Sequence, residues 1–419
     1  MNILLMGNGG REHALAWKLS QSQRFGKLWI APGNAGTEIY GENISSAKLD
    51  DPSQVLDIVQ KKQVDLVVIG PEGPLELGIS DVLRNENIPV FGPSKSAAQL
   101  ETSKSFANTL MREYGIDTAE SQTFDSAERA INYVRTLNGP CVIKANGLAA
   151  GKGVTVCDTI DEAIYAINES LTELRFGSAG SQVVVEERMY GWETSAHAFT
   201  DGITVRHMPF SCDHKPVFDE NKGPNTGGMG VYSSPPHLKK TQQDFIETAV
   251  TEKLVSAMAA EGLTYQGTIY PGMMLTSSGP RVVEINARFG DPETEALMPR
   301  LSSDLIDIVE AVANQTLNEV HPEWSAEYSV GVIMASAGYP NSFNTGHLIS
   351  GIEHTDDNVQ VFLAGTDRDE DNNLITAGGR VLCVVGTGTT LEDAREITYD
   401  NVNRITFEGA HFRTDIGSL

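Results

Sequence analysis

Between Glu284 and Glu293 the chain reads EINARFGDPE. Glu284, Asn286 and Arg288 fall on alternate residues just after Val282 and Val283, and strand alternation puts all three side chains on one face. A solvated strand face would show the same period. Carboxylate and amide oxygens are also hard ligands that suit Mg²⁺, which takes one or two protein ligands plus phosphate oxygens. A guanidinium two residues on can hold an oxyanion by two parallel hydrogen bonds. The stretch alone leaves both readings open: a solvated strand face, or a metal–phosphate site in which carboxylate and amide oxygens meet the ion and the guanidinium meets the anion.

Three further stretches could meet a nucleotide or an anionic substrate. NGLAAGKG follows the strand GPCVIKA, so Lys144 stands at the strand end and Gly151, Lys152 and Gly153 lie within the loop. It is not a Walker A loop, because the spacing is GxxxGKG and the flanks read strand–loop–strand. A glycine flap carrying cations can still close over a triphosphate and exclude water. As a phosphate clamp, Lys144 is expected to matter for nucleotide binding and little for stability. GNGGREHA lacks the third glycine of a dinucleotide fingerprint, since Glu12 stands there. What remains is a Gly-rich loop opening a helix, where Gly9, Gly10 and Arg11 suit a single phosphate. GPNTGGMG, with Asp213, His214 and Lys215 upstream, suits substrate contacts, while Glu186, Glu187 and Glu193 close the strand of VVVEERMYGWE or follow it.

The elements that must position these residues alternate regularly at first. NILLM, KLWIA, VDLVVIG and IPVFG read as short strands. REHALAWKLSQ, PSQVLDIVQKK, PLELGISDVLRNE and SAAQLETSKSFANTLMREY read as helices. That order implies a doubly wound parallel sheet with ligands at the strands' C-terminal ends, where the loops GNGGRE, APGNAG, GPEGP and GPSKS lie. A small α+β lobe is expected at about 122–192. A long loop-rich stretch (MPFSCDHKPVFDENKGPNTGGMGVY), a helix and the strands TIYPGMML and PRVVEIN follow. From about Tyr328 short strands and the helix LEDAREITYDNVNRI form a last mixed α/β unit. The expected domains are 1–103, 104–327 and 328–419, in an α/β and α+β multidomain fold.

At 419 residues, about three domains fit the length. Net charge is -25, from 31 basic and 56 acidic residues, which repels nucleic-acid backbones and argues against DNA or RNA partners. No apolar run approaches the ~18 residues of a membrane helix, and MNILLMGNGG reads as a first strand, not a signal peptide. Four scattered cysteines without a CxxC pair fit a reducing cytoplasm.

Together with APGNAGT, GPE, FGPS, AGYP, AGGRVL and FRTDIG, these strings resemble the glycinamide ribonucleotide synthetase family of the ATP-grasp superfamily along essentially the whole chain. The resemblance implies an ATP-grasp core and the second step of de novo purine synthesis. There, ATP activates glycine as glycyl phosphate, and 5-phosphoribosylamine attacks it to give glycinamide ribonucleotide, ADP and phosphate. It assigns Lys104 and Lys144 to ATP phosphates, Glu186 and Glu187 to the adenine hinge, and Glu193 to the ribose. Glu284 and Asn286 become the Mg²⁺ or Mn²⁺ ligands, and Arg288 meets the transferring phosphoryl or the glycine carboxylate. Gly9, Gly10, Arg11 and Glu72 would meet the ribosylamine. Asp213, His214, Lys215, Asn225, Thr226, Gly227, Gly290 and Asp291 complete the expected substrate site, and Lys144, Asp213, Lys215 and Arg288 its catalytic set. A monomer or homodimer is expected. Asn146, Arg188, Cys212 and Pro271 depart from the usual family residues.

Overall fold

The computed structural model describes residues 1–137, 139–149 and 152–418. The four expected opening strands form as β1 (Asn2–Gly7), β2 (Lys27–Pro32), β4 (Leu66–Ile69) and β5 (Val90–Phe91); a short β3 (Glu42–Asn43), not expected, joins them, and the order is β3-β2-β1-β4-β5. All neighbours are parallel. Ile3 and Leu5 face one core while Leu4 and Met6 face another, as a sheet covered on both sides requires. Helix α1 (Gly10–Leu19) leaves β1 through the GNGGRE loop, at the strands' C-terminal ends.

Two expected helices are broken. PLELGISDVLRNE divides at Gly78, which takes a left-handed conformation (φ 80°) between the helices Glu72–Leu77 and Ile79–Asn85. Glu72 therefore opens a helix and is not held in a loop. SAAQLETSKSFANTLMREY divides at Ser103, whose hydroxyl accepts from Phe106 N–H and restarts a helix at Lys104.

The small lobe is an antiparallel sheet of β6 (Ser121–Phe124), β7 (Cys141–Ala145), β8 (Val154–Cys157) and β9 (Val183–Glu187), ordered β6-β9-β7-β8. Helices Ala127–Leu137 and Ile160–Leu171 close its own core, which draws on residues 124–185 only. A second sheet contains β10 (Trp192–Ser195), β11 (Ala198–Thr200), β12 (Val205–His207), and the long hairpin of β17 (Gly267–Thr276) and β18 (Gly279–Asn286).

The stretch expected to be loop-rich holds four short strands instead: β13 (Cys212–Asp213), β14 (Pro216–Phe218), β15 (Lys222–Asn225) and β16 (Gly230–Ser233). None is long enough to show a readable alternation, and the Gly and Pro residues between them masked the pattern. β13 and β16 continue into the last unit's sheet with β19 (Tyr328–Ala335), β20 (Gln360–Leu363) and β23 (Arg380–Gly388), while β21 (Thr366–Arg368) and β22 (Leu374–Thr376) form a separate hairpin. One core runs through the first sheet, the helix Leu305–Ala313 and the last sheet, joining Leu15, Val309, Ile333 and Cys383. Among the described residues no helix is long and apolar enough to cross a membrane.

Candidate active site

β18 presents Glu284 and Asn286, and Arg288 follows just past its end. Lys215 Nζ lies 2.8 Å from Glu284 Oε1 and 3.8 Å from Glu193 Oε2. The Lys215 ammonium holds the Glu284 carboxyl down to about 2, against the opposing effect of burial. Burial would lower the lysine, but Glu284, Glu193 and Asp213 outweigh it and raise it. Glu284 still exposes 32% of its side chain, so an incoming cation can reach it. Arg288 is fixed between Glu72 at 2.9 Å and Glu101 at 3.0 Å, and donates to Asn286 Oδ1 at 3.4 Å. Glu101, which the sequence reading missed, also accepts from Ala287 N–H at 2.7 Å and so locks the strand end.

Among the described residues no three His, Cys, Asp or Glu side chains form a ready-made metal cage. Glu284 and Asn286 instead offer two hard oxygen donors on one strand face. That donor set fits Mg²⁺ or Mn²⁺ shared with phosphate oxygens.

The small lobe supplies the second wall. Lys144 Nζ lies 2.7 Å from Glu186 Oε2 and donates to Val283 O at 2.8 Å, so it bridges the lobe to β18. Both side chains are about 5% exposed, and Asn108 donates to the same carboxylate at 3.1 Å. Lys144 is thus part of a buried ion pair and is not an exposed clamp. Glu187 points the other way and pairs with Arg281, as strand alternation demands. Lys104 Nζ donates to Gly147 O at 3.1 Å, and burial lowers its pKa. Gly153 O accepts from Ala145 N–H at 2.7 Å, closing the hairpin, and Lys152 is exposed. Gly151 lies outside the described residues.

At the opposite side, the GNGGRE loop is filled from within. Gly9 N–H donates to Glu12 Oε2 at 2.7 Å, and Arg11 Nε lies 2.6 Å from Glu12 Oε1. The chain's own carboxylate thus occupies the helix N-terminus expected to receive a phosphate. Gly10 packs against Glu295, whose Oε1 would lie 2.5 Å from an added Cβ.

DHK divides by alternation. Asp213 and Lys215 face the site, whereas the half-buried His214 feels Arg413 and Asp415 of the last unit and is lowered to about 4, mainly by desolvation. Thr226 ties its loop by donating from Oγ1 to Lys215 O at 2.7 Å. Asn225 is exposed at the end of β15, and Gly227 O accepts from Arg380 at 2.7 Å. Gly290 packs against Glu293 and His197, where a Cβ would lie 2.4 Å from Glu293 Oε2. Asp291 pairs with Arg380 at 2.9 Å.

Glu293 and Arg380 are further residues that sequence reasoning left without a role, although each stood inside a quoted string, RFGDPE and AGGRVL. Glu293 Oε1 accepts from Tyr270 Oη and from Ser195 Oγ. Its charge and burial push the nearby Asp213 carboxyl well up, burial being the larger cause. Glu193, Thr194, Ser195, Asp213, Lys215 and Tyr270 line a small recess beside β18. The arrangement can hold a polyanion on Lys144, Lys215 and Arg288, each of which is neutralised by carboxylates until one arrives.

The chain matches the models of phosphoribosylglycinamide synthetase over its N domain at residues 1–101, its ATP-grasp (A) domain at 102–294 and its C domain at 329–419. It is 46% identical to a phosphoribosylamine–glycine ligase of Caulobacter vibrioides, covering 100% of this chain and 98% of that protein. To the ligase of Vibrio cholerae it is 44% identical, with 100% and 98% covered. The crystal structure of the Thermotoga maritima phosphoribosylamine–glycine ligase superposes with a TM-score of 0.84 at 32% identity, covering 99% of this chain and 100% of that one. The biotin carboxylase domain of the Hydrogenobacter thermophilus 2-oxoglutarate carboxylase shares the fold alone, with a TM-score of 0.76 at 13% identity over 98% and 91% of the two chains. Matched by these models along nearly its whole length, the chain belongs to the phosphoribosylglycinamide synthetase family.

Proposed function

We propose that the chain is the ATP-dependent ligase that joins glycine to 5-phosphoribosylamine, giving glycinamide ribonucleotide, ADP and phosphate. The observation that carries this reading is the row Lys144–Glu186, Lys215–Glu284 and Arg288–Glu72, which gathers paired cations along β18. In the first step a glycine carboxylate oxygen attacks the γ-phosphorus of ATP and ADP leaves. In the second the ribosylamine nitrogen attacks the carbonyl carbon of glycyl phosphate and phosphate leaves.

Such chemistry needs mainly positioning and neutralisation of charge. Lys104, Lys144 and Lys152, with Gly151 and Gly153, receive the triphosphate. Glu186 borders the adenine, with Glu187 turned away to Arg281, and Glu193 takes the ribose. Glu284 and Asn286 hold Mg²⁺ or Mn²⁺, which when bound neutralises charge on the phosphoryl oxygens. Arg288, fixed by Glu72 and Glu101, supplies its charge to the reacting anion. Asp213 and Lys215 contact glycine in the recess beside β18. The hairpin over the site excludes water from glycyl phosphate, which would otherwise hydrolyse. Four buried free cysteines suit a reducing cytoplasm, and we expect a monomer or homodimer.

ADP formation tests the reading. Release should require ATP, glycine and freshly made phosphoribosylamine together, and equal turnover with bicarbonate in place of glycine would overturn it.

A further inference from the structure

Loops from all three parts of the chain meet at Arg380, the first residue of β23. Its Nη1 donates to Gly227 O at 2.7 Å and to Asp291 O at 3.1 Å, and lies 2.9 Å from Asp291 Oδ1. Gly227 N–H in turn donates to Tyr339 Oη at 3.1 Å. A Cβ on Gly227 would lie 3.0 Å from Arg380 Cζ, so a glycine there leaves the guanidinium uncrowded. Asp291 Oδ2 reaches the other way, and would lie 3.2 Å from a Cβ on Gly9. Through Asp291, Arg380 therefore borders the GNGG loop.

Among the described residues only Nη1 of this guanidinium makes hydrogen bonds. The Nε–Nη2 edge stays free, and 21% of the side chain is exposed. Such an edge presents two parallel donors spaced for two oxygens of one phosphate. The GNGGRE helix N-terminus is closed to a phosphate by Glu12. Asp291 is also three residues from Arg288, so their Cα atoms are at most about 10 Å apart. A ligand on Arg380 can thus extend to the reacting centre.

We propose that Arg380 binds the 5-phosphate of the ribosylamine substrate through its Nε–Nη2 edge, with Asp291 holding the guanidinium in place from the Nη1 side. This assignment rests on the ligase reading above. Asp291, Tyr339, Glu295 and Asp213 are the other titratable groups around the guanidinium. Burial and the charge of Asp291 push the Glu295 carboxyl well up, which favours its uncharged form beside an arriving dianion.

The test is steady-state ADP formation by the full chain carrying Arg380→Gln or Arg380→Lys, with each substrate varied in turn. R380Q should raise the KM for phosphoribosylamine at least tenfold while the KM values for ATP and glycine stay within twofold. Competitive inhibition by ribose 5-phosphate should weaken by a similar factor, whereas ribose, lacking the phosphate, should inhibit both enzymes equally poorly. R380K keeps the charge and the stem, so it serves if R380Q fails to fold, and it should also raise this KM because Lys lacks the planar fork. An unchanged KM for phosphoribosylamine overturns the proposal. So does an equal rise in all three KM values with a lower melting temperature, which would make Arg380 a tie between loops. Failure of the underlying reading looks different, because the wild-type chain would then form no ADP with glycine and phosphoribosylamine.

Discussion

The loops Gly7–Arg11 and Asn146–Gly153 both follow an apolar strand and both are rich in glycine, yet they are built differently. In the first, the glycines make room for the chain's own carboxylate: a Cβ on Gly7 would lie 2.6 Å from Glu12 Cγ, and one on Gly70 would lie 2.0 Å from Glu12 Oε1. In the second, the described residues are tied at the base, by Ala145 N–H to Gly153 O and by Lys104 to Gly147 O, while Lys152 stays exposed. The first loop sits against the core shared by most of the chain, and the second is carried by a lobe with a core of its own. Glycine content alone therefore does not identify an anion site. What separates the two is whether a neighbouring side chain of the chain, here Glu12 of α1, already supplies the anion.

The largest effect should come from the strand that both loops serve. Glu284→Gln should lower activity by more than the roughly 10–100-fold typical of a metal site's outer partners, with only partial recovery at high Mg²⁺. Arg288→Lys should keep a normal Mg²⁺ dependence but lose turnover, since Lys cannot reproduce a planar two-pronged contact. ADP formation measured against Mg²⁺ separates them, and wild-type curves for both would reduce β18 to a scaffold.

Next comes Glu12→Gln, which leaves Arg11 buried without its ion partner. A cost of about 3–5 kcal/mol is expected in urea unfolding. Gly70→Ala should cost about 1–3 kcal/mol by overpacking the same place. If neither shifts the urea midpoint, the first loop is not a packing device and the contrast fails.

Lys144→Ala should weaken ATP binding and also destabilise the lobe by about 1–3 kcal/mol, because among the described residues Glu186 then keeps only Asn108 as a side-chain partner. Calorimetry of ATP binding together with urea unfolding reads both. A loss of affinity with no loss of stability would restore the simpler picture of an exposed clamp.

Acid should undo the Lys215–Glu284 pair in a defined window. The folded carboxyl titrates at about 2, below its ordinary value of about 4.3, so its contribution is full above pH 4.3 and is lost as pH falls towards 2. The gap in urea midpoint between wild type and Glu284→Gln should narrow over that range; a constant gap would mean that the pair does not stabilise the fold. Smallest of all, Lys152→Ala should change stability by less than about 0.5 kcal/mol while raising the KM for ATP a few-fold.

Much of this was legible in the sequence wherever the signal is local. Strand–helix alternation gave the first sheet, and period two placed Glu284, Asn286 and Arg288 together. Local reading failed where strands were too short to alternate, as in β13 to β16, and where one residue in a helix changes its conformation, as at Gly78 and Ser103. It also could not tell that Glu187 turns from the cleft to Arg281, or that His214 faces the last unit.

By itself the sequence determined the order of the longer elements, the alternation of side chains along the longer strands and the residue types available to bind a polyanion, because these follow from backbone periodicity over a few residues. Tertiary structure alone decided which charges meet. Arg288 pairs with Glu72 across 216 positions, Lys144 donates to Val283 across 139, and Arg380 reaches Gly227 across 153. Ion pairs and hydrogen bonds act over a few ångströms, and no local pattern records which distant segments the packed cores will bring within that reach.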